Sequence, residues 1–281
     1  KAEEYWAARK ERGSGVKPEE MIDLSRLTEN FDRGLHEFYT NQEAPFSWFR
    51  RGPCIHFHRR TINKLRDVLK SGSYAQVLND SEYIELLYAT LTAWGMNRLG
   101  KKGPKLRNFE EFEKIIKSLK VETAERLGKY TLSKLGDVSE IEDPLKEIYE
   151  SLGDIMETRC TIVGISKTLH HIFPDLLMPV DGSHVLRLLA NLKEEEYRTS
   201  DDNTFENYWK CIKVSWGIAK ALREKRGILT PSDWKPENPD FRIAERSMDT
   251  SIPKMIDNAL IGMSSLLPKE RKGENSETVN T

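Results

Sequence analysis

The chain has 281 residues, enough for one large domain or two smaller ones with a buried core. Hydrophobic residues make up 38% and charged residues 32%, which argues against general disorder and against a membrane protein. The formal net charge of -1 lacks the basic excess of a typical nucleic-acid-binding protein. Three widely spaced cysteines, Cys54, Cys160 and Cys211, do not suffice for a disulfide framework or a four-thiolate metal site. We therefore expect a soluble, cytoplasmic protein without a metal or other cofactor.

Apolar residues recur at helical spacing in every long segment. In chain order, the clearest sets are Ile62, Leu65 and Leu69, then Phe109, Phe112, Ile116 and Leu119, then Ile141, Leu145, Ile148 and Leu152, and finally Phe205, Tyr208, Ile212 and Ala219. Residues 82–99 are apolar almost all round, which predicts a central buried helix. No segment shows the alternation typical of strands. The sequence therefore predicts an all-α, two-lobed domain of nine to twelve helices.

Polar and basic segments suggest how the chain is organised. We expect an N-terminal helical part over 1–80, a helical core over 81–267 and a disordered tail over 268–281. Basic residues cluster at Arg50 and Arg51, at Arg59 and Arg60, and at Lys101, Lys102, Lys105 and Arg107. In FSWFRRGPCIHFHRR the arginines alternate with aromatic residues, a pattern suited to phosphate contacts and base stacking. The alternative is a solvated surface with the aromatic rings turned inward.

Residues 160–192 carry the strongest chemical signal. Gly164 precedes Ile165-Ser166-Lys167-Thr168, and a glycine ahead of a helix permits a tight turn whose free N–H groups can hold an anion. Further on, Pro179-Val180-Asp181 places a carboxylate directly before a second helix. A carboxylate held there is suited to stabilising positive charge on a sugar.

These residues resemble the helix-hairpin-helix DNA glycosylases of the endonuclease III superfamily. The Gly164–Thr168 run is similar to that family's hairpin, although Ser166 replaces its second glycine, and Asp181-Gly182-Ser183-His184-Val185 is similar to its catalytic segment. The resemblance implies a base-excision enzyme, with or without lyase activity, that acts as a monomer on a base flipped out of double-stranded DNA.

The resemblance also implies roles for individual residues. Asp181 would be catalytic, and Lys167, with its pKa lowered, would attack C1′ and form a Schiff base. The nucleic-acid contacts would come from Gly164, Ser166, Thr168, Arg50, Arg51, Lys101 and Lys105. The base pocket would contain Trp94, Met96 and Asn97. A repair enzyme of this kind would work in the cytoplasm, at the nucleoid in a prokaryote.

The chain also resembles a family of uncharacterised prokaryotic proteins. The shared motifs include Ser-Lys-x-Leu-His, Pro-x-Asp, Ala-Trp-Gly-Met and Thr-Ser-x-Pro-Lys-x-Ile-Asp-Asn. This resemblance implies no activity, but it places Trp94, Asn97, Lys254, Asp257 and Asn258 near the same site.

Simpler interpretations remain open. Asp181 is explained equally by a helix N-cap, Lys167 by a surface charge, and Trp94 by a place in the core. Adjacent histidines such as His170 and His171 point in different directions on a helix, so they do not predict a metal site. The alternative function is a non-catalytic helix-hairpin-helix module that binds DNA or a protein.

Overall fold

The structure, a computed structural model, describes residues 24–41, 53–96, 105–157, 161–189, 204–235 and 248–266. Within these ranges the α-helices are α1 (Leu24–Glu29), α2 (Phe31–Thr40), α3 (Pro53–Ser71), α4 (Tyr74–Val77), α5 (Ser81–Leu91), α6 (Phe109–Lys117), α7 (Val121–Leu127), α8 (Glu142–Ser151), α9 (Thr161–Ile172), α10 (Arg187–Leu189), α11 (Phe205–Arg226) and α12 (Ile252–Ser265). The one β-feature of these residues is an isolated bridge between Leu106 and Met156. The predicted all-α class is confirmed.

Capping side chains mark the starts of two helices that contribute to the site. The carboxylate of Asp80 accepts the Tyr83 N–H at 2.9 Å, so it satisfies one of the free amides at the start of α5. Ser251 does the same for α12 by accepting the Lys254 N–H at 3.3 Å. These caps decide where α5 and α12 start, and both helices contribute to the site described below.

The central helix is shorter than the sequence predicts. It is α-helical only to Leu91 and then forms a π-helical turn, Thr92–Met96. Gly95 lies at φ 84°, a left-handed conformation that glycine adopts without a Cβ clash. This glycine breaks the helical path immediately after Trp94. The prediction that the α-helix continues beyond Leu91 was therefore wrong for residues 92–96. Residues 97–99 lie outside the described ranges.

Two glycines allow α2 and α12 to pack backbone to backbone. A Cβ built on Gly262 would lie 1.9 Å from the carbonyl oxygen of Gly34, and one built on Gly34 would lie 2.3 Å from the carbonyl oxygen of Ala259. Only residues without a side chain tolerate this approach. The crossing places Phe38 and Tyr39 of α2 beside the polar residues of α12.

The hydrophobic core runs from the first described helix to the last. One cluster of contacting buried residues extends from Leu27 in α1 to Met263 in α12, and Tyr83 and Leu87 of α5 are fully buried in it. Residues on both sides of the predicted boundary at residue 80 share this cluster, while the division into domains stays a prediction. None of the helices within the described ranges is both long and apolar enough to cross a membrane.

The predicted turn after Val163 was wrong. Gly164, Ser166 and Thr168 lie inside α9, which begins at Thr161, and all three are buried. A Cβ on Gly164 would lie 2.3 Å from the sulfur of Met156, so this glycine serves close packing. The apolar residues around it favour a continuous buried helix over an exposed turn. After α9 the chain returns along the helix through residues 173–181 to a π-helical turn, Gly182–Leu186.

Candidate functional site

A small cavity brings together charged residues from distant parts of the chain. It is lined by Phe38, Trp94, Lys167, Pro179, Asp181, Met248, Lys254, Asp257 and Ile261. The free space between these residues is about 330 Å³ including the open mouth. Two lysines and two aspartates thus line a narrow, partly closed space.

Lys167 and Asp181, the predicted catalytic pair, both line this cavity. Lys167 is 5% exposed although it carries a long charged side chain, and its Nζ lies 5.6 Å from the centroid of the Trp94 ring. Asp181 is half-buried, and its Oδ1 accepts the His184 N–H at 3.2 Å. Asp181 therefore caps the following turn and also faces the cavity, so the two interpretations of this residue are compatible.

Ser166 holds the aspartate segment against α9. Its hydroxyl oxygen accepts the Val180 N–H at 3.1 Å, and the hydroxyl can donate to the Val163 carbonyl at 3.1 Å. Val180 directly precedes Asp181. The hydroxyl thereby fixes the position of Asp181 relative to α9, the helix that carries Lys167. Ser166 has this structural role at the position where the resemblance implied a phosphate contact.

The other predicted nucleic-acid contacts do not meet at the cavity. The Thr168 hydroxyl donates to the Gly164 carbonyl at 2.9 Å inside α9. Lys105 is partly exposed, and its Nζ lies 2.5 Å from Oε2 of Glu157. Arg50, Arg51 and Lys101 lie outside the described residues. Buried Gly164, Ser166 and Thr168 present no surface to a phosphate in this structure.

Of the predicted base pocket, Trp94 lines the cavity and Met96 does not. The Trp94 Nε1–H donates to the Cys54 carbonyl at 3.3 Å, which fixes the ring. Met96 is buried in the main hydrophobic cluster. Asn97 lies outside the described residues.

A second charged pair, Lys254 and Asp257, lies one turn apart on α12. Both are buried, and the Lys254 Nζ donates to Oδ2 of Asp257 at 2.6 Å and to Oδ1 of Asn258 at 2.5 Å. The same Nζ lies 5.3 Å from the Trp94 centroid and 5.9 Å from the Phe38 centroid. Burial raises the pKa of Asp257, and the positive charge of Lys254 opposes this shift.

Further hydrogen bonds hold this second pair in place. Asn258 donates from Nδ2 to Oδ1 of Asp249 at 2.7 Å, and the Tyr39 hydroxyl donates to the same oxygen at 2.8 Å. Because α2 and α12 are in backbone contact, Tyr39 reaches this network directly. The polar groups of α12 are therefore preorganised.

A buried histidine cluster, consisting of His58, His170 and His171, packs against Trp94, which lines the cavity. His58 and His171 contact the Trp94 ring, with centroid separations of 5.2 and 4.9 Å. His58 Nδ1 lies 3.0 Å from His171 Nε2, and His58 Nε2 lies 2.8 Å from the Thr250 hydroxyl. The cluster thus connects α3, α9 and the segment preceding α12.

The hydrogen-bond partners determine the tautomers in this cluster. His171 Nδ1 lies 2.7 Å from the Lys167 carbonyl, which can only accept, so Nδ1 carries the proton. In neutral His171 the Nε2 atom is then an acceptor, His58 donates to it from Nδ1, and Thr250 donates to His58 Nε2. Every hydrogen bond in this hydrogen-bond chain from Thr250 to Lys167 can form while both imidazole rings are neutral. The chain of hydrogen bonds fixes the backbone carbonyl of Lys167.

Burial keeps the histidine cluster neutral. It lowers the pKa of His171 to about 4 and the pKa values of His58 and His170 well below the usual range, and the positive charge of Lys254 adds to each shift. His170 donates from Nδ1 to the Leu177 carbonyl at 2.8 Å, while its buried Nε2 has no hydrogen-bond partner among the residues that the structure describes. Such an unsatisfied acceptor is costly in a folded protein.

The histidine cluster behind Trp94 was missed by sequence reasoning. Sequence reasoning found only that His170 and His171 do not predict a metal site, because positions 58 and 171 are linked only through the fold. The second pair was not missed, because the resemblance to the uncharacterised prokaryotic family placed Lys254 and Asp257 near Trp94, and all three residues line the cavity. Lys254 and Asp257 are the only charged residues in Ile252–Ser265, and a charged pair one turn apart in such an apolar helix indicates buried partners.

Comparisons with known proteins found no match among protein-family models, curated proteins or solved structures. Among the described residues, no group of three or more His, Cys, Asp or Glu side chains is arranged to hold a metal ion. The site is therefore interpreted from its own chemistry.

Proposed function

We propose that this protein is a DNA base-excision glycosylase whose catalytic residues are Lys167 and Asp181. The observation that carries the proposal is that these two residues, 14 positions apart in sequence, line one cavity beside Trp94. A buried lysine next to carboxylates and an aromatic ring is unusual outside functional sites, because burying an ammonium group is costly.

Each residue has a defined task in this reaction. As the bond between C1′ and the base nitrogen breaks, positive charge develops on the sugar, and the carboxylate of Asp181 stabilises it. The unprotonated Lys167 amine bonds to C1′ as the C1′–N bond breaks, and the base leaves with the electron pair and takes up the proton that the attached nitrogen then loses. Opening of the C1′–O4′ bond gives the Schiff base, which permits strand cleavage by elimination. Asp181 keeps its orientation through its cap hydrogen bond to His184.

The exposed face of α3 supports a nucleic-acid partner. His56, Arg59 and Arg60 are exposed and line a shallow groove together with Ile55 and Asn63. Arginines of this kind are suited to phosphate contacts. The buried side of the same helix carries His58, which contacts Trp94. One helix thus connects a basic surface to the cavity.

A panel of duplexes with damaged or mismatched bases tests the proposal. We expect base release by the wild-type protein and its loss in Asp181→Asn, since asparagine retains the capping oxygen but removes the charge. Borohydride should trap a covalent adduct that Lys167→Ala abolishes. Lys117→Ala is the control, because Lys117 pairs with Glu113 on the exposed surface of α6. Release that persists in Asp181→Asn would refute the catalytic assignment.

The second candidate is a non-catalytic DNA- or protein-binding module. The observation favouring it is the cap hydrogen bond from His184 to Asp181, which gives this carboxylate a structural task. The same panel separates the two functions. A module binds the duplexes, releases no base from any of them, and forms no adduct with borohydride.

A further inference from the structure

Lys254 and Asp257 present one unused donor and one unused acceptor to the cavity. An ammonium group has three N–H donors, and Lys254 gives two of them to Asp257 Oδ2 and Asn258 Oδ1. Among the described residues no acceptor takes the third. Asp257 Oδ1 likewise receives no hydrogen bond from any of these residues. Both side chains line the cavity and are 3% exposed, so what remains accessible on them faces this space.

The surrounding residues restrict this pair to one geometry. The Nζ of Lys254 lies over the rings of both Phe38 and Trp94, with centroid distances of 5.9 and 5.3 Å. Asn258 is in turn fixed by its hydrogen bond to Asp249. A donor and an acceptor held in this way do not need to reorganise when a complementary group arrives.

We propose that Lys254 and Asp257 bind the edge of a lactam ring, a planar heterocycle in which a carbonyl group and an N–H group are adjacent. Lys254 donates to the carbonyl oxygen, and Asp257 Oδ1 accepts the ring N–H. The ring enters through the open mouth of the cavity, and its carbonyl oxygen and N–H group take the place of water on the two side chains.

This inference rests on the proposed glycosylase function, since it identifies the leaving group of that reaction. When the C1′–N bond breaks, its electron pair stays with the base, and in a lactam the negative charge spreads to the carbonyl oxygen. The ammonium group of Lys254 then binds this oxygen more strongly than in the ground state, which accelerates bond cleavage. An amino base carries no oxygen at this position. The site therefore favours uracil over cytosine and hypoxanthine over adenine.

The experiment compares release from four duplexes that contain deoxyuridine, deoxycytidine, deoxyinosine or deoxyadenosine at one position. We expect wild-type protein to release the two lactam bases at least about tenfold faster than their amino counterparts, as for a matched donor and acceptor pair. In Asp257→Asn this preference should fall to about threefold or less. Lys254→Arg, which keeps the charge but changes the donor geometry, should also reduce it. Lys117→Met, on the exposed surface of α6, should leave it unchanged.

The outcomes separate this inference from the proposed function. Base release without a preference for lactam bases would refute base recognition by Lys254 and Asp257, and so would a preference that persists in folded Asp257→Asn. Neither result would contradict the proposed glycosylase function. If no base is released from any duplex, the proposed function fails, and titration calorimetry with free uracil and free cytosine decides the inference. Tighter binding of uracil that weakens in Asp257→Asn supports it, and equal or absent binding overturns it.

Discussion

Lowering the pH from 7.5 to 5.0 should destabilise this protein through its buried histidine cluster. His171 has a folded-state pKa of about 4 against an ordinary value of 6.5. Between these values the unfolded chain binds a proton at this ring and the folded protein does not, so the free energy of unfolding rises with pH. The stabilisation from neutral His171 is complete above pH 6.5 and is lost as the pH falls towards 4.

The size of the effect follows from the two pKa values. At pH 5.0 an imidazole of pKa 6.5 is almost fully protonated and one of pKa about 4 is mostly neutral, which corresponds to about 2 kcal/mol. The pKa values of His58 and His170 are lowered as well, so these residues add to the loss of unfolding free energy at low pH. Because proteins of this size are stable by only about 5–15 kcal/mol, the change is measurable.

Urea denaturation of wild-type protein and His171→Asn at both pH values measures the effect. Asparagine can still donate to the Lys167 carbonyl but does not titrate, so the wild-type protein should lose at least about 2 kcal/mol more between pH 7.5 and 5.0 than the variant. Because the pKa of Asp257 is raised in the folded protein, lowering the pH stabilises the fold through this residue in both proteins. The difference between the two proteins therefore isolates the contribution of His171.

A control and a clear failure criterion complete this test. His56→Asn makes the same substitution at an exposed histidine outside the cluster, so it is the matched control for the amino-acid change itself. Equal losses in wild-type protein and His171→Asn would refute the neutral, buried state of His171. The hydrogen-bond chain from Thr250 to Lys167 would then be wrong as well.

Two further substitutions test the packing that assembles the site. Ser166→Ala should lower the free energy of unfolding by about 1–3 kcal/mol and reduce base release, because it leaves the buried Val180 N–H without a partner. The control is Thr168→Val, which removes only a hydroxyl bonded within α9 and should lower the free energy of unfolding by less than about 1 kcal/mol. Equal losses for the two variants in urea denaturation would contradict the role of Ser166. Gly262→Ala should destabilise the protein by about 1–3 kcal/mol or more by separating α2 from α12. The control is Gly136→Ala, whose added Cβ would contact only one side-chain oxygen, at 3.7 Å, so this variant should keep a melting temperature close to that of the wild-type protein. Similar shifts in melting temperature for Gly262→Ala and Gly136→Ala would argue against the contact between α2 and α12.

Most of the secondary structure was predictable, but one element of the site was not. The spacing of apolar residues and capping residues such as Asp80 and Ser251 act over a few neighbouring positions, so they can be recognised in sequence. The segment around Gly164 was misjudged, because glycine permits both a turn and close helix packing. The position of Met156 decides between them, and that residue is brought to Gly164 by the fold.

The sequence by itself determined the all-α class and singled out Lys167, Asp181 and Trp94 as residues of interest. The resemblance to the uncharacterised prokaryotic family also grouped Trp94 with Lys254 and Asp257. Only the tertiary structure decided that these residues share one cavity with Lys167 and Asp181, and that His58 reaches His171 across 113 positions. The physical reason is that helical periodicity reports which face of a helix is buried but not which helix covers it. That pairing depends on close contacts such as the one between Gly34 and Gly262, which have no local sequence signature.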